Sequence, residues 1–243
     1  AGGAEILSSW LKRTNCLASV VVAGPAEKIF RRKCPQANFM KLDEALIKSS
    51  WVLSGTGWQS NFELQAISKA RNLGIKTVAF LDHWVNYRER FEENGYIVLP
   101  DEIWVGDTEA ERIASNLFDQ TPVLLKLNPY FEDIVEEIEV IQQFKAKPKK
   151  TEVLYVCEPI GDKALKEHGN ERHFGYHEHD ALRFFLKNIS ALCQPIDTIT
   201  IRPHPSDPED KYQWARNVAG LPVQFGGKKT LLEETLDSTI VVG

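Results

Sequence analysis

Residues 50–82, SWVLSGTGWQSNFELQAISKARNLGIKTVAFLD, contain one complete strand–helix–strand unit. The run SWVLSG reads as a strand that ends in a glycine loop. SNFELQAISKARNLG then reads as a strong helix stopped at Gly74, and KTVAFLD as the next strand. Links this short between two strands imply a βαβ unit and a parallel sheet. The pattern extends in both directions. Upstream, CLASVVVAG, PAEKIFRRK (with Pro25 in its first turn), ANFMKL and DEALIKS alternate strand with helix. Downstream, DEIWVGD, EAERIASNLF and TPVLLKL continue the alternation. The expected fold class is therefore α/β.

A long polar helix, FEDIVEEIEVIQQFKAK, closes this series. PKKTE breaks it, and a second series follows: VLYVCEP, DALRFFLKNISALC, DTITIRP, DKYQWARNV, PVQFG, LLEETLDS and TIVVG. The sequence thus predicts two Rossmann-like domains facing a cleft, residues 1–147 and 148–243, joined near residues 146–152. AGGAEILSSWLKR reads as a glycine turn and first helix lacking its strand, and STIVVG as a strand lacking its loop. The expectation is a chain cropped at both ends, with the C-terminal domain incomplete.

Bulk properties narrow the function. The 243 residues suffice for about two domains of ~100–200 residues each. Hydrophobic residues make up 43% and charged residues 26%, with net charge −5, unlike the strongly basic chains that bind nucleic acid through phosphates. No apolar run approaches the ~18–20 residues of a membrane span, and no signal peptide opens the chain. Cys16, Cys34, Cys157 and Cys193 lack C-x-x-C spacing; three sit beside apolar residues and read as buried thiols of a reducing compartment. The expected location is the cytoplasm, with peripheral attachment at the inner face of the membrane left open.

Four stretches are candidate sites. In SGTGWQSNFE (54–63), Gly55, Thr56, Gly57 and Trp58 form a glycine loop at a helix start, where free N–H groups attract anions. Ser60 and Glu63 have capping-box spacing. With Ser60 at the third glycine position it is no dinucleotide fingerprint, and a well-capped tight turn explains it equally. In LDHWVNYRERF (81–91), Asp82 and His83 fall at the next strand end, where a carboxylate beside an imidazole serves a general base. The aromatics and arginines that follow suit a sugar face and its anionic groups; the plain alternative is a solvated helix capped by Asp82.

HGNERHFGYHEHD (168–180) holds four histidines, but their intervals match no closed zinc pattern. It reads as a loop before a helix capped by Asp180 or His179, and Glu158, at the tip of the preceding strand, is the better ligand candidate. In TITIRPHPSDPED (198–210), Pro203 ends the strand and Pro205 restricts His204 to extended geometry. Arg202 and His204 alternate with Pro203 and so share a face suited to a phosphate. Ser206 or Asp207 is expected to cap the following helix.

RPHP after a strand of a second Rossmann unit resembles the His-Pro motif of bacterial GT-B glycosyltransferases that use CMP-activated acidic sugars, the capsule and lipopolysaccharide sialyltransferases and Kdo transferases. CEPIGD…GYHEHDAL is similar to the strand–loop–helix opening their nucleotide half, and DSTIVVG to the strand before their serine/threonine loop. GTGWQSNFE and FLDHWVNYRERF resemble the acceptor-side half of surface-polysaccharide enzymes. The resemblance implies an enzyme that moves a sugar from a nucleotide-sugar donor to a saccharide acceptor without a metal or other cofactor. His204 and Pro205 would contact the phosphate and ribose, Arg202 would assist, and Glu158 would line the donor pocket. Asp82, with Glu63 behind it, would be the base or nucleophile. The alternatives are a CDP-glycerol or ribitol phosphotransferase with His83 as base, a UDP-sugar 2-epimerase-like protein, and a degenerate binding module.

Overall fold

The computed structural model describes residues 2–14, 16–57, 60–144, 150–192 and 194–243. The chain is α/β, and both of its four-stranded sheets are parallel throughout. It divides into two compact units, Ala1–Glu136 and Glu137–Gly243. The boundary expected between 147 and 148 falls on residues outside the described set.

Unit 1 runs α1 (Gly2–Thr14), β1 (Ser19–Val20), α2 (Ala26–Lys33), β2 (Asn38–Phe39), α3 (Leu42–Ile47), β3 (Trp51–Ser54), α4 (Phe62–Asn72), β4 (Lys76–Leu81), β5 (Glu92–Glu93), β6 (Tyr96–Ile97), β7 (Glu102–Val105), α5 (Thr108–Leu117) and β8 (Val123–Leu125). Helix α6 (Pro129–Phe144) spans the division between the units. The main sheet has the order β3-β4-β7-β8. Every residue of β4 after Lys76 is buried, as expected of a strand covered on both faces. Leu64 and Ile67 of α4 pack with Ala79, Leu81, Ile103, Val105 and Phe91 in one core. The strands expected from CLASVVVAG and ANFMKL shrink to two residues each and pair only with one another. The glycines at the start lie in the first turn of α1 rather than in a turn before it.

Unit 2 runs β9 (Glu152–Val156), α7 (Ile160–His168), α8 (Glu178–Lys187), β10 (Thr198–Arg202), β11 (Val223–Phe225), α9 (Leu231–Asp237) and β12 (Ile240–Val242). Its sheet order is β11-β10-β9-β12. Taken in chain order this is third, second, first, fourth: the chain moves outward from β9 and then returns to its other side. That reversal is the switch point beside which doubly wound sheets take ligands, outside the carboxyl ends of the strands. The ladder brings Val156, Arg202 and Val242 to one edge, since Arg202 pairs with Val156 and Val242 with Tyr155.

Two elements escaped the sequence reading. Helix α7 starts after Pro159 and ends on Gly169 at φ 71°, a left-handed C-cap. The β5–β6 hairpin turns on Asn94 and Gly95, both at positive φ, as a two-residue Asn-Gly turn requires. Burial also corrects the thiols: Cys157 is buried, Cys34 is half-buried and Cys16 is exposed, while Cys193 lies outside the described residues. Apolar neighbours in sequence did not bury Cys16, because it sits in the link after α1. Among the described residues no helix is long and apolar enough to cross a membrane.

Candidate functional site

The carboxyl edge of unit 2 is built around His204. Strand β10 ends at Arg202, Pro203 follows, and the chain turns at once: Asp207 N–H donates to the His204 carbonyl at 2.8 Å. The Asp207 carboxylate folds back and accepts the His204 N–H at 2.9 Å. The expected helix cap is therefore not formed. Asp207 braces the turn it belongs to, and the next helical element is a 3-10 turn at Gln213–Asn217 whose N-cap, Tyr212, makes no side-chain capping bond. Tyr212 OH donates to Asp207 Oδ2 at 3.2 Å and Lys211 Nζ to Oδ1 at 2.7 Å. The Asp207 side chain is completely buried.

The imidazole of His204 is fixed from one side. Ser206 N–H donates to Nδ1 at 3.2 Å, and Ser206 Oγ lies 2.7 Å from the same atom. A ring nitrogen that accepts from a backbone N–H carries no proton, so the neutral ring holds its proton on Nε2. Among the described residues Nε2 has no hydrogen-bond partner. The ring is half-buried at the strand tip and offers one N–H outward.

Lys211 links this turn to the neighbouring loop. Its Nζ also lies 2.5 Å from Glu178 Oε1, and Glu178 Oε2 accepts the Gly161 N–H at 2.7 Å. Burial would lower the Lys211 pKa, but the hydrogen bonds to Asp207 and Glu178 outweigh it and hold the ammonium above its ordinary value. Burial likewise would raise Glu178, yet Lys211 and the Gly161 N–H hold it below the usual carboxylate range. The thiol of Cys157, at the end of β9, is pushed up to about 12 by burial, so it is protonated and inert as a nucleophile.

Arg202 does not point free toward a ligand. Its Nη1 donates to Glu234 Oε2 at 2.5 Å and to the Lys229 carbonyl at 3.0 Å. Glu234 Oε1 takes the Gly227 N–H at 2.7 Å. Glu158 is exposed at the tip of β9. In the histidine stretch, the N-cap of α8 is His177, whose Nδ1 accepts from Asp180 N–H while Asp180 bonds back to the His177 N–H. Asp180 is thus the far half of the capping box, not the cap. His179 instead turns inward and accepts Trp214 Nε1–H at 2.9 Å. His168 and His173 stack at 3.7 Å. No three metal-ligating side chains are grouped among the described residues.

In unit 1 the structure brings Gly55, Thr56, Asp82 and Arg90 together at the carboxyl ends of β3 and β4. Arg90 is 6% exposed. Its Nη1 donates to Asp82 Oδ1 at 2.5 Å, to the Thr56 carbonyl at 2.7 Å and to Thr56 Oγ1 at 3.0 Å, and its Nε to the Val85 carbonyl at 3.1 Å. Asp82 Oδ2 lies against the start of α1, where a side chain at Gly2 would begin 2.5 Å from it. Carboxylates suit a helix N-terminus. Gly3 packs beside Gly55, and a side chain on Gly3 would begin 3.5 Å from the Gly55 Cα, in ordinary van der Waals contact.

The Ser60–Glu63 capping box is absent. Asn61 is the N-cap of α4, but its side chain makes no capping bond and donates instead to Glu93 Oε1 at 2.9 Å. Glu63 turns toward the glycine loop, both carboxylate oxygens 3.0 Å from where a side chain at Gly57 would begin, and its buried Oε2 has no hydrogen-bond partner among the described residues. Trp58 lies outside the described residues. His83 is exposed, with Nδ1 accepting the Trp84 N–H at 2.9 Å. Trp84 is held in turn by Asp107 Oδ2 at 2.9 Å, and residues 82–88 form bends and turns rather than a helix.

Sequence reading missed Arg90, Asp207 as a brace, Lys211, Glu178 and Glu234. Only the Asp207–Lys211 spacing of four left a local signal. The chain was compared with protein-family models, with curated proteins and with solved structures, and none of them matches it.

Proposed function

We propose that the chain is a nucleotide-sugar-dependent glycosyltransferase of the GT-B type, in which unit 2 takes the nucleotide and unit 1 the saccharide acceptor. The observation that carries the reading is His204. It stands at the carboxyl end of β10, next to the switch strand, in a turn closed by Asp207 from two directions. Its Nδ1 is engaged by Ser206, which turns Nε2–H outward. A fixed N–H donor there suits an oxygen of the leaving phosphate, and donors that need no rearrangement are what stabilise developing charge.

The roles of the other residues follow from their bonding. Arg202 supports the site by holding Glu234 and the Lys229 carbonyl, and its contact with phosphate is indirect. Asp82 Oδ1 is occupied by the Arg90 ion pair and is not open to a saccharide hydroxyl. Glu63, whose Oε2 has no hydrogen-bond partner among the described residues, is the carboxylate that receives the saccharide hydroxyl. Pro205 keeps the turn, and Glu158 reaches the donor from the tip of β9. The donor class is a CMP-activated acidic sugar.

Titration calorimetry with CMP, CDP, UDP and GDP tests this. At least one nucleotide binds, and His204→Ala weakens it about tenfold or more, the value of about one good hydrogen bond to a charged group. No heat from any of the four defeats the reading, and an unchanged affinity in His204→Ala removes that residue from the site. Turnover of CDP-glycerol in place of a CMP-sugar, with loss in His83→Ala, would move the activity to polyol-phosphate transfer.

A further inference from the structure

We infer that Glu178 and Glu234 restrict the nucleotide site of unit 2 to a single phosphate by filling the neighbouring anion seats with the chain's own carboxylates. This rests on the nucleotide reading above and names what sets its specificity. In doubly wound sheets the first βα turn beside the switch point receives a pyrophosphate at the helix N-terminus. Here that turn joins β9 to α7. Its Gly161 N–H is already bonded to Glu178 Oε2 at 2.7 Å, and a side chain at Gly161 would begin 3.1 Å from the same oxygen. Glu178 is 7% exposed and is anchored by Lys211.

The glycine loop after β11 repeats the arrangement. Gly227 N–H is taken by Glu234 Oε1, and a side chain at Gly226 would begin 2.5 Å from Glu234 Oε2. Arg202, the cation at that end of the edge, is paired with the same carboxylate. Between these two filled seats lies the turn after β10, where His204 offers Nε2–H. A phosphate at His204 is accommodated, whereas a second phosphate extending toward α7 meets the ionised Glu178. Burial makes that repulsion strong, and the Lys211 ammonium is already shared between Glu178 and Asp207.

The test compares CMP with CDP, and UMP with UDP, by titration calorimetry on the intact chain. The monophosphate is expected to bind about tenfold tighter than the diphosphate of the same base, the size of one like-charge contact at short range in a partly wet site. In Glu178→Gln, which keeps the shape and can still accept the Gly161 N–H, the preference shrinks to about threefold or less. Equal or tighter binding of the diphosphates by the wild-type chain overturns the inference, as does a Glu178→Gln chain that folds and keeps the full preference. If that variant does not fold, the wild-type ratio decides alone. Absence of binding by all four nucleotides overturns the nucleotide reading itself and is thereby distinct.

Discussion

Asp207 holds His204 from both ends of one turn: its Oδ2 accepts the His204 N–H at 2.9 Å and its own N–H donates to the His204 carbonyl at 2.8 Å. The carboxylate is wholly buried and also bonded to Lys211 and Tyr212. Asp207→Ala removes the acceptor for the His204 N–H, the Tyr212 hydroxyl and one lobe of the Lys211 ammonium. Breaking such a buried pair costs about 3–5 kcal/mol. Urea unfolding should show a loss of that order, with the His204 ring resonances broadened or shifted in the folded remainder. A loss under about 1 kcal/mol, within the range of ordinary surface changes, would mean that the turn is held by its prolines alone.

Asp82 and Glu63 separate by the same logic. Asp82 Oδ1 is bound to buried Arg90, which also closes on Thr56, whereas Glu63 Oε2 is buried and has no partner among the described residues. Arg90→Ala should cost about 3–5 kcal/mol, and Arg90→Lys most of that, because an ammonium lacks the planar fork that reaches Asp82, Thr56 and Val85 together. Asp82→Asn should lower stability by about 1–3 kcal/mol. Glu63→Gln should leave the unfolding midpoint nearly unchanged while slowing sugar transfer by about 10²–10⁴-fold, the usual share of a proton acceptor. If Asp82→Asn abolishes transfer with its melting intact and Glu63→Gln does not, the two roles are exchanged.

The strands and main helices were readable because each rests on a local pattern. The β-branched run TITIR, buried at its two isoleucines, and KTVAFL, buried throughout after Lys76, become strands of parallel sheets as their composition implies. The position of His204 at the strand tip was readable for a related reason: Pro203, beside it in sequence, ends β10 at Arg202. Caps were misjudged where several short polar residues compete. Asp207 had a tertiary alternative in Tyr212 and Lys211, Ser60 lost the N-cap to Asn61, and His177 outcompeted its neighbours because Asp180 lies three residues on. The carboxylates that fill the glycine loops left no trace at all. Glu178 reaches Gly161 across 17 residues and Glu234 reaches Arg202 across 32, separations that no helical or strand period encodes. Helix α7 and the β5–β6 hairpin were legible in principle, through Pro159 with Gly169 and through Asn94-Gly95.

The pH dependence of unit 2 should be led by His179. Burial depresses its pKa below the ordinary 6.5, and its Nδ1 accepts Trp214 Nε1–H, a bond that a proton on Nδ1 would abolish. The fold therefore favours the neutral ring. Its contribution is fully present above the unfolded value and is lost as pH falls from about 6.5 through the depressed value. The unfolding midpoint should be flat above about pH 7 and begin to decline as the pH falls below about 6.5, before the carboxylates titrate. His179→Asn offers an amide oxygen to Trp214 without titrating, so the wild-type midpoint should fall away from that of the variant as the pH drops through that window. A parallel decline in both proteins would assign it to other groups.

Gly226 tests whether the carboxylate in the loop after β11 is needed there. A methyl at this position would start 2.5 Å from Glu234 Oε2, an atom that is itself fixed by Arg202. The neighbouring Oε1 is held by the Gly227 N–H, so the side chain cannot swing aside without breaking both bonds. Gly226→Ala should cost about 1–3 kcal/mol, the range for overpacking a well-filled site. Adding Glu234→Gln should not restore the loss, because the amide has the same bulk, whereas Gly226→Ala combined with Glu234→Ala should recover the steric part while leaving Arg202 unpaired. A double-mutant cycle in urea therefore distinguishes crowding from charge. If Gly226→Ala alone leaves the midpoint unchanged, Glu234 has another resting position, and it does not hold the second anion seat closed.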